Sequence, residues 1–181
     1  ESWRSGAYLS GMDCGYETLT ARIRGFRAGA MYVIAGRPGM GKTALGLGVA
    51  VRMALASGRG LFWSGEMSAE ELMGRVVSAK CGLTLDTVLP GMIDGRNGPE
   101  PVSDKTMARI VAAGMDARRI PLLIDDREGL TIQQIASRAR RMKREKEGLN
   151  FVVIDYLGLV RQSAVFIRTG NRVGGMGGSS A

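Results

Sequence analysis

The chain has 181 residues, of which 45% are hydrophobic and 23% are charged, a balance typical of a soluble domain with its own core. No apolar run approaches the ~20 residues of a membrane span and no secretory signal is visible, so we expect a cytoplasmic protein. Two cysteines and no histidine exclude a disulfide scaffold and histidine acid–base chemistry, and they disfavour a zinc site. The formal charge of +8 favours a polyanionic partner such as nucleic acid, with a solvated basic face as the alternative.

The first elements prepare a glycine-rich loop. Residues 1–30 are predicted to be a lead-in segment with a short helical turn at Glu17–Ile23, and the apolar run Met31–Ala35 predicts a buried strand. Gly36–Thr43 then reads Gly-Arg-Pro-Gly-Met-Gly-Lys-Thr, which fits the phosphate-binding loop pattern G-x-x-x-x-G-K-[ST]. The helix predicted for Thr43–Ser57, with Leu45, Val49, Met53 and Ala56 facing inward, completes the strand, loop and helix order that this motif requires.

The residue types in this loop suit a bound phosphate. Gly36, Gly39 and Gly41 can adopt the backbone angles that turn successive N–H groups inward, and these groups form an anion cradle with the helix N-terminus. Lys42 would reach the β- and γ-phosphates, and Thr43 would offer its hydroxyl to Mg²⁺. The other positions in the predicted nucleotide-binding set are Arg37, Pro38 and Met40. The alternative is a glycine-rich turn with a surface lysine.

A strand and a capped helix follow. Gly60–Gly65 predicts a second buried strand, and Ser68 with Glu71 predicts a capping box for a helix over Ala69–Lys80. Glu66 lies between these two elements. Because ligands of open α/β sheets bind at the carboxyl ends of strands, Glu66 could orient or deprotonate a water that attacks the γ-phosphate. The alternative is a solvated residue that merely precedes a cap.

Prolines and glycines break residues 84–104, where we expect at most one short helix, at Leu85–Leu89. Asp104–Arg118 predicts a helix. Its apolar residues, expected to face inward, are Met107, Ile110, Val111 and Met115. Pro121–Asp125 predicts a third strand. The carboxylates of Asp125 and Asp126 at its end are expected to cap the turn and the following helix, with metal binding as the alternative.

The last predicted elements are a basic helix and a strand. Thr131 begins a helix with an apolar stripe, and the rest of its surface is basic. The stripe consists of Ile132, Ile135, Ala136, Ala139 and Met142. We expect an outer helix with solvated cations near its C-terminus, and phosphate contacts are the alternative. Phe151–Asp155 predicts a fourth strand of the Walker B type, in which Asp155 holds Mg²⁺ directly or through a water. The glycine-rich residues 161–181 are predicted to be a poorly ordered tail.

In this order, the motifs resemble those of DnaB-type replicative helicases. The matching segments are Gly36–Leu45, Gly65–Ser68, Ile124–Asp126 with Gly129–Ile132, Arg138–Lys143 and Ile154–Leu157. The likeness covers about residues 13–160 and implies an α/β fold of the RecA-like P-loop NTPase type, a mostly parallel sheet flanked by helices, over residues 31–160. It also implies Lys42 and Thr43 as phosphate and magnesium residues, Glu66 with Lys42 as the catalytic residues, and Asp155 as the Walker B residue.

The same resemblance implies an activity and partners. Members of this family form homo-hexameric rings that hydrolyse ATP with Mg²⁺ while translocating on single-stranded DNA and unwinding duplexes, with primase and a loader as partners. The chain lacks counterparts of the family's N-terminal domain, sensor strand, DNA-contacting loops and inter-subunit arginine. We therefore expect an incomplete motor domain, missing its last strands at the C-terminal side, that binds nucleotide weakly and does not unwind DNA alone. A non-catalytic assembly module and another RecA-like ATPase are the alternatives.

Overall fold

The computed structural model describes residues 11–95, 98–156 and 158. The elements in chain order are α1 (Glu17–Ile23), α2 (Lys42–Ser57), β1 (Gly60–Ser64), α3 (Ala69–Cys81), α4 (Leu85–Val88), β2 (Met92–Gly95), β3 (Gly98–Pro101), α5 (Asp104–Arg118), β4 (Leu122–Asp125), α6 (Ile132–Arg144) and β5 (Phe151–Asp155). The predicted helices and the last three predicted strands are thereby confirmed. The tail predicted for residues 161–181 lies outside the described residues.

Three parallel strands form the main sheet in the order β4–β1–β5. Leu61 of β1 lies opposite Leu123 of β4 and Val152 of β5. All five residues of β1 are buried, as expected for the central strand of a parallel sheet with both faces covered. The continuous apolar run in β1 is therefore the sequence signal of its central position.

Helices cover both faces of this sheet. Phe62 packs in one core with Leu47 of α2 and Leu72 of α3, and α5 joins the same core through Ala117. The preceding residue, Leu61, packs on the other face with Met142 of α6. Successive side chains of a strand point to opposite faces, so neighbouring residues of β1 belong to different cores. No helix in the described part of the chain is both long and apolar enough to cross a bilayer.

Helix α2 is joined to β1 by only two residues and packs on β1, β4 and β5. Its C-terminus therefore lies at the amino end of β1, and its N-terminus is directed toward the carboxyl edge of the sheet. Val49 and Met53 are buried as predicted, whereas Leu45 and Ala56 are exposed. The buried face carries several small residues, Gly46, Ala50 and Ala54 among them, which let the helix approach the sheet closely.

Helix α5 has the predicted bounds but turns a different face inward. Three of the four residues predicted to face inward are exposed, namely Met107, Val111 and Met115. Ala113 and Ala117 are buried instead, on the side that contacts α3. The spacing of large apolar side chains predicted the buried face. In the structure α5 packs closely on α3, and only small side chains fit between the two helices.

The strand predicted for Met31–Ala35 is wrong in this structure. The segment forms no strand, and Met31 and Val33 are 83% and 70% exposed. A strand needs a neighbour that takes its backbone hydrogen bonds. Among the described residues β5 has β1 on one side and an open edge on the other, and residues 31–35 do not pair with that edge. An apolar run in the sequence predicts a buried segment, but it does not show whether another strand pairs with that segment.

The sequence also missed a two-stranded antiparallel ribbon formed by β2 and β3. Pro99 and Pro101 of β3 argued against a strand, because proline donates no backbone hydrogen bond. They are tolerated here because β3 is exposed and has no strand on its outer side within the described residues.

Candidate nucleotide site

Residues 36–41 form an exposed loop that leads into α2, and Lys42 and Thr43 are the first two residues of that helix. Gly39 and Gly41 have φ angles of 75° and 78°, in the left-handed region that favours glycine. A Cβ atom built on either glycine would meet no atom within 4 Å, so the space beside the loop is free. Gly41 is the N-cap of α2 and supplies no capping side chain, and the first turn contains no acidic residue. The first N–H groups and the positive end of the helix dipole are therefore left for an anion.

Lys42 begins α2 and folds back onto the loop. Its Nζ donates a hydrogen bond to the carbonyl oxygen of Arg37 at 3.1 Å, and the N–H of Met40 donates to the same oxygen at 3.3 Å. A hydrogen bond between two charged groups is roughly twice as strong as one to a neutral carbonyl. A phosphate oxygen would therefore compete well for this ammonium group.

The carboxyl ends of β1 and β5 are tied together beside Glu66. The N–H of Gly65 donates to the carbonyl oxygen of Asp155 at 2.8 Å, which continues the register that sets Ser64 opposite Asp155. The Ser64 hydroxyl donates to the carbonyl oxygen of Met67 at 2.7 Å and accepts from its N–H at 3.0 Å. The turn that carries Glu66 is thus fixed from within, while Glu66 itself is exposed. Two predicted site residues, Glu66 and Asp155, lie at neighbouring strand ends.

Asp155 has a buried oxygen, Oδ2, for which the described residues supply no hydrogen-bond partner. Leaving such an oxygen unpaired is costly, so it is suited to a ligand that brings a cation or a water. The carboxylate of Asp155 and the hydroxyl of Thr43 are hard oxygen donors of the kind Mg²⁺ takes. The described residues contain no group of three or more carboxylate, cysteine or histidine ligands. Each of these two oxygens is therefore chemically suited to Mg²⁺ that also takes phosphate oxygens.

Asp125 serves the fold rather than a metal. Its side chain is 4% exposed and accepts from Nε and Nη2 of Arg127 at 2.8 and 2.7 Å. Arg138 of α6 adds an ion pair, with its Nε 3.1 Å from Oδ2 of Asp125. The hydrogen bonds from Arg127 hold the pKa of Asp125 below its ordinary value, against the opposing effect of burial. Asp125 caps the turn as predicted, because its Oδ1 also accepts from the backbone N–H of Arg127 at 3.4 Å. The helix after β4 is capped by a complete capping box of Thr131 and Gln134, so the prediction that the aspartates cap this helix is wrong.

Asp126 instead caps α3. Its Oδ2 accepts a hydrogen bond from the N–H of Ala69 at 2.8 Å, and the Ser68 hydroxyl accepts from the N–H of Glu71 at 3.1 Å. The predicted capping box is only half formed, because the Glu71 carboxylate pairs with Arg75 at 3.1 Å. Asp126 joins the end of β4 to the start of α3, immediately after Glu66. No local signal could have revealed this contact, since the partners are 57 residues apart.

Known proteins resemble this chain in both sequence and fold. Residues 11–177 match the family model of the DnaB-like helicase C-terminal domain. The replicative DNA helicase DnaB of Haemophilus influenzae is 31% identical over 157 residues, which cover 86% of this chain and 32% of that protein. The DnaB helicase of Rickettsia bellii is 32% identical over 169 residues, which cover 87% and 32%. The chain thus spans about a third of the length of these curated relatives.

Two solved structures resemble the fold. A solved ATPase domain has a TM-score of 0.75 and 25% identity, covering 88% of this chain and 55% of that one. A DnaB-like replicative helicase, described with its interactions with primase, has a TM-score of 0.75 and 24% identity, covering 87% and 37%. These likenesses confirm the RecA-like α/β fold predicted from the sequence.

Proposed function

The chain belongs to the family of DnaB-like helicase C-terminal domains, and from this premise we propose that it is the ATP-binding part of a replicative helicase motor. In the complete protein, ATP hydrolysis would drive translocation on single-stranded DNA and duplex unwinding. The same proposal includes assembly into a homo-hexameric ring, primase and a loader as partners, and a cytoplasmic location. The observation that carries it is the start of α2, where left-handed glycines precede a helix that has neither a capping side chain nor an acidic first turn.

The proposed phosphate site is built mainly from backbone. The N–H groups of the loop and of the first turn of α2 bind the phosphate oxygens, with Gly39 and Gly41 providing the backbone geometry and Gly36 the entry. Lys42 exchanges its contact with the Arg37 carbonyl for a phosphate oxygen. The exposed side chains of Pro38 and Met40 leave the backbone between the glycines free to approach the ligand.

The proposed metal and catalytic residues lie at the start of α2 and at the carboxyl edge of the sheet. The Thr43 hydroxyl and the Asp155 carboxylate would hold Mg²⁺, which when bound neutralises charge on the β- and γ-phosphate oxygens. Glu66 is exposed in a turn that Ser64 fixes, next to the residue that bonds to Asp155. We assign it to orient the attacking water and accept its proton.

Titration of the 181-residue chain with a fluorescent ATP analogue and Mg²⁺ tests this assignment. Lys42→Ala should weaken binding by about 10- to 100-fold, the factor expected for losing a hydrogen bond to a charged group. The matched control is Lys80→Ala, an exposed lysine at the end of α3, which should bind like the parent. Equal affinities of the parent and Lys42→Ala would overturn the assignment of the loop.

A non-catalytic helicase-like module is the second candidate. The exposed position of Met31–Ala35 favours it, because the loop is not anchored by a strand on its N-terminal side. This candidate predicts nucleotide binding without turnover. Phosphate release measured at saturating ATP on the complete protein separates the two, since the motor proposal requires release there that Glu66→Gln abolishes.

A further inference from the structure

A basic groove lies beside the end of α1, in the lead-in segment. It has a volume of about 440 Å³ and is lined by Arg22, Ile23, Arg24, Arg27 and Tyr32. Three of the five lining residues are arginines, all three are exposed, and none of the five is acidic. Cations gathered in a concave surface concentrate positive potential, which attracts polyanions. We name this feature the arginine groove.

Two consecutive left-handed residues bring these arginines together. Arg24 ends α1 with φ 57° and ψ 35°, and Gly25 follows with φ 79°. The N–H groups of both residues donate to the carbonyl oxygen of Thr20, which reverses the chain so that Arg22 and Arg27 line the same groove. An arginine in the left-handed region is unfavourable, and glycine or asparagine would suit the backbone better. The position therefore carries a positive charge at the expense of backbone preference.

Contacts among residues 12–32 hold the groove in shape. Met12 and Phe26 exchange both backbone hydrogen bonds at 2.8 Å, and the Phe26 ring meets Tyr32 edge-on with centroids 4.6 Å apart. The Tyr32 hydroxyl accepts from the N–H of Arg27 at 3.1 Å and donates to the carbonyl oxygen of Gly25 at 3.3 Å. The aromatic ring is thereby fixed among the arginines before any ligand binds, which reduces the entropy lost on binding.

We propose that the arginine groove binds the phosphodiester backbone of single-stranded nucleic acid. The inference rests on the proposed function, in which single-stranded DNA is the substrate, and it names residues that contact the strand. Guanidinium groups bind phosphate in bidentate geometry, and an adjacent aromatic ring lets an unpaired base stack. The combination of three guanidinium groups with one fixed ring matches a single strand better than a duplex, whose base faces are covered.

Fluorescence anisotropy with a labelled oligothymidylate and the 181-residue chain tests the proposal. Two variants remove the same positive charge from exposed residues at different places. The groove variant is Arg22→Gln, Arg24→Gln, Arg27→Gln, and the matched control on α6 is Arg140→Gln, Arg141→Gln, Arg144→Gln. The groove variant should weaken binding at least about tenfold and reduce the slope of log affinity against log salt by about 2, from ~0.7 per phosphate contact. The control should stay within about threefold of the parent.

A single substitution separates binding from folding. Arg24→Gly places at position 24 the residue preferred in the left-handed region, which offsets the loss of the arginine's own contacts. The melting temperature should therefore stay close to that of the parent while the oligothymidylate affinity falls. A loss of affinity of equal size in the groove and α6 variants would reduce the effect to net charge and overturn the proposal. An unchanged affinity in the groove variant would also overturn it.

The two proposals fail in distinguishable ways. If Lys42→Ala loses nucleotide while the groove variant keeps its DNA affinity, only the arginine groove is refuted. If the groove variant loses DNA while Lys42→Ala keeps its nucleotide affinity, the groove is supported and the assignment of the phosphate loop is refuted.

Discussion

Among single residues, Asp155 is expected to destabilise the nucleotide-free fold and also to bind Mg²⁺ in the proposed site. The described residues leave its buried Oδ2 without a hydrogen-bond partner, which costs about 1–3 kcal/mol. Asp155→Asn keeps the shape and removes the charge. We therefore expect the free energy of unfolding of the nucleotide-free chain to stay equal or rise, while the affinity for ATP with Mg²⁺ falls. Urea unfolding and nucleotide titration, with and without Mg²⁺, measure the two effects.

The control is Asp94→Asn, at an exposed aspartate of β2. It should change neither the free energy of unfolding nor the affinity for ATP with Mg²⁺. A lower stability of Asp155→Asn with an unchanged dependence on Mg²⁺ would instead give Asp155 a structural role.

Asp125 is the opposite case, a buried carboxylate whose oxygens are well satisfied. The hydrogen bonds from Arg127 lower its pKa in the folded chain. A lowered pKa stabilises the fold fully above the unfolded value of about 3.9, and this contribution disappears as the pH falls through the folded value. We expect Asp125→Asn to lower the free energy of unfolding by about 2 kcal/mol at pH 7. The difference from the parent should shrink as the pH falls below about 4.

Urea unfolding of both proteins between about pH 3 and pH 7 measures this difference. Asp116→Asn is the control, because Asp116 pairs with Arg119 at 3.8 Å on the surface and should contribute less than about 0.5 kcal/mol. A difference that stays constant over the whole pH range would show that the Asp125 charge is not its source.

At the scale of helices and strands, the elements that sequence predicts well are those fixed by nearby residues. The capping box of α6 joins Thr131 to Gln134, only three residues away, and the apolar run of β1 predicts that this strand is buried. The failures depend on distant partners. Met31–Ala35 pairs with no strand among the described residues, the buried face of α5 is set by α3, and Asp126 caps a helix that begins 57 residues earlier in the chain.

The proposed site divides in the same way. The glycine loop, Lys42 and Thr43 form one contiguous motif, so the sequence predicted them as a unit. The hydrogen bond that joins Gly65 to Asp155 depends on the pairing of two strands, and only the fold displays it. The arginine groove was not predicted, because the left-handed turn at Arg24 that brings Arg22 and Arg27 to one surface is visible only in the fold.

Two interior helix glycines offer a matched test of helix packing. A methyl group at Gly114 of α5 would meet no atom within 4 Å, whereas one at Gly74 of α3 would lie 2.8 and 2.9 Å from Leu89 and Leu85. Alanine is favoured over glycine inside a helix by about 1 kcal/mol. We expect Gly114→Ala to raise the free energy of unfolding by about 0.5–1 kcal/mol. Gly74→Ala should raise the free energy of unfolding less, or lower it, because the side chains of Leu85 and Leu89 must shift to make room. Equal gains in urea unfolding would mean that these two leucine side chains move aside without cost.

For the whole molecule, the sheet has covered faces but exposed edges. In the described part of the chain β4 and β5 each pair with β1 alone, and Val152 of β5 is 39% exposed. The segment that did not form a strand also presents Val33 and Ile34 to solvent, at 70% and 44%. Unpaired strand edges and exposed apolar segments are both surfaces on which another copy of the chain can pair.

We therefore expect the chain to self-associate reversibly as its concentration rises through the micromolar range. Val33→Lys should weaken this association, because lysine opposes edge-to-edge pairing and the exposed position leaves the core intact. Leu55→Lys is the matched control, since Leu55 lies on α2 and is 60% exposed. This substitution adds the same charge at a site away from residues 31–35. Sedimentation velocity over a concentration series measures the change. If both variants dissociate equally, net charge rather than strand pairing governs association, and a parent that stays monomeric contradicts the expectation outright.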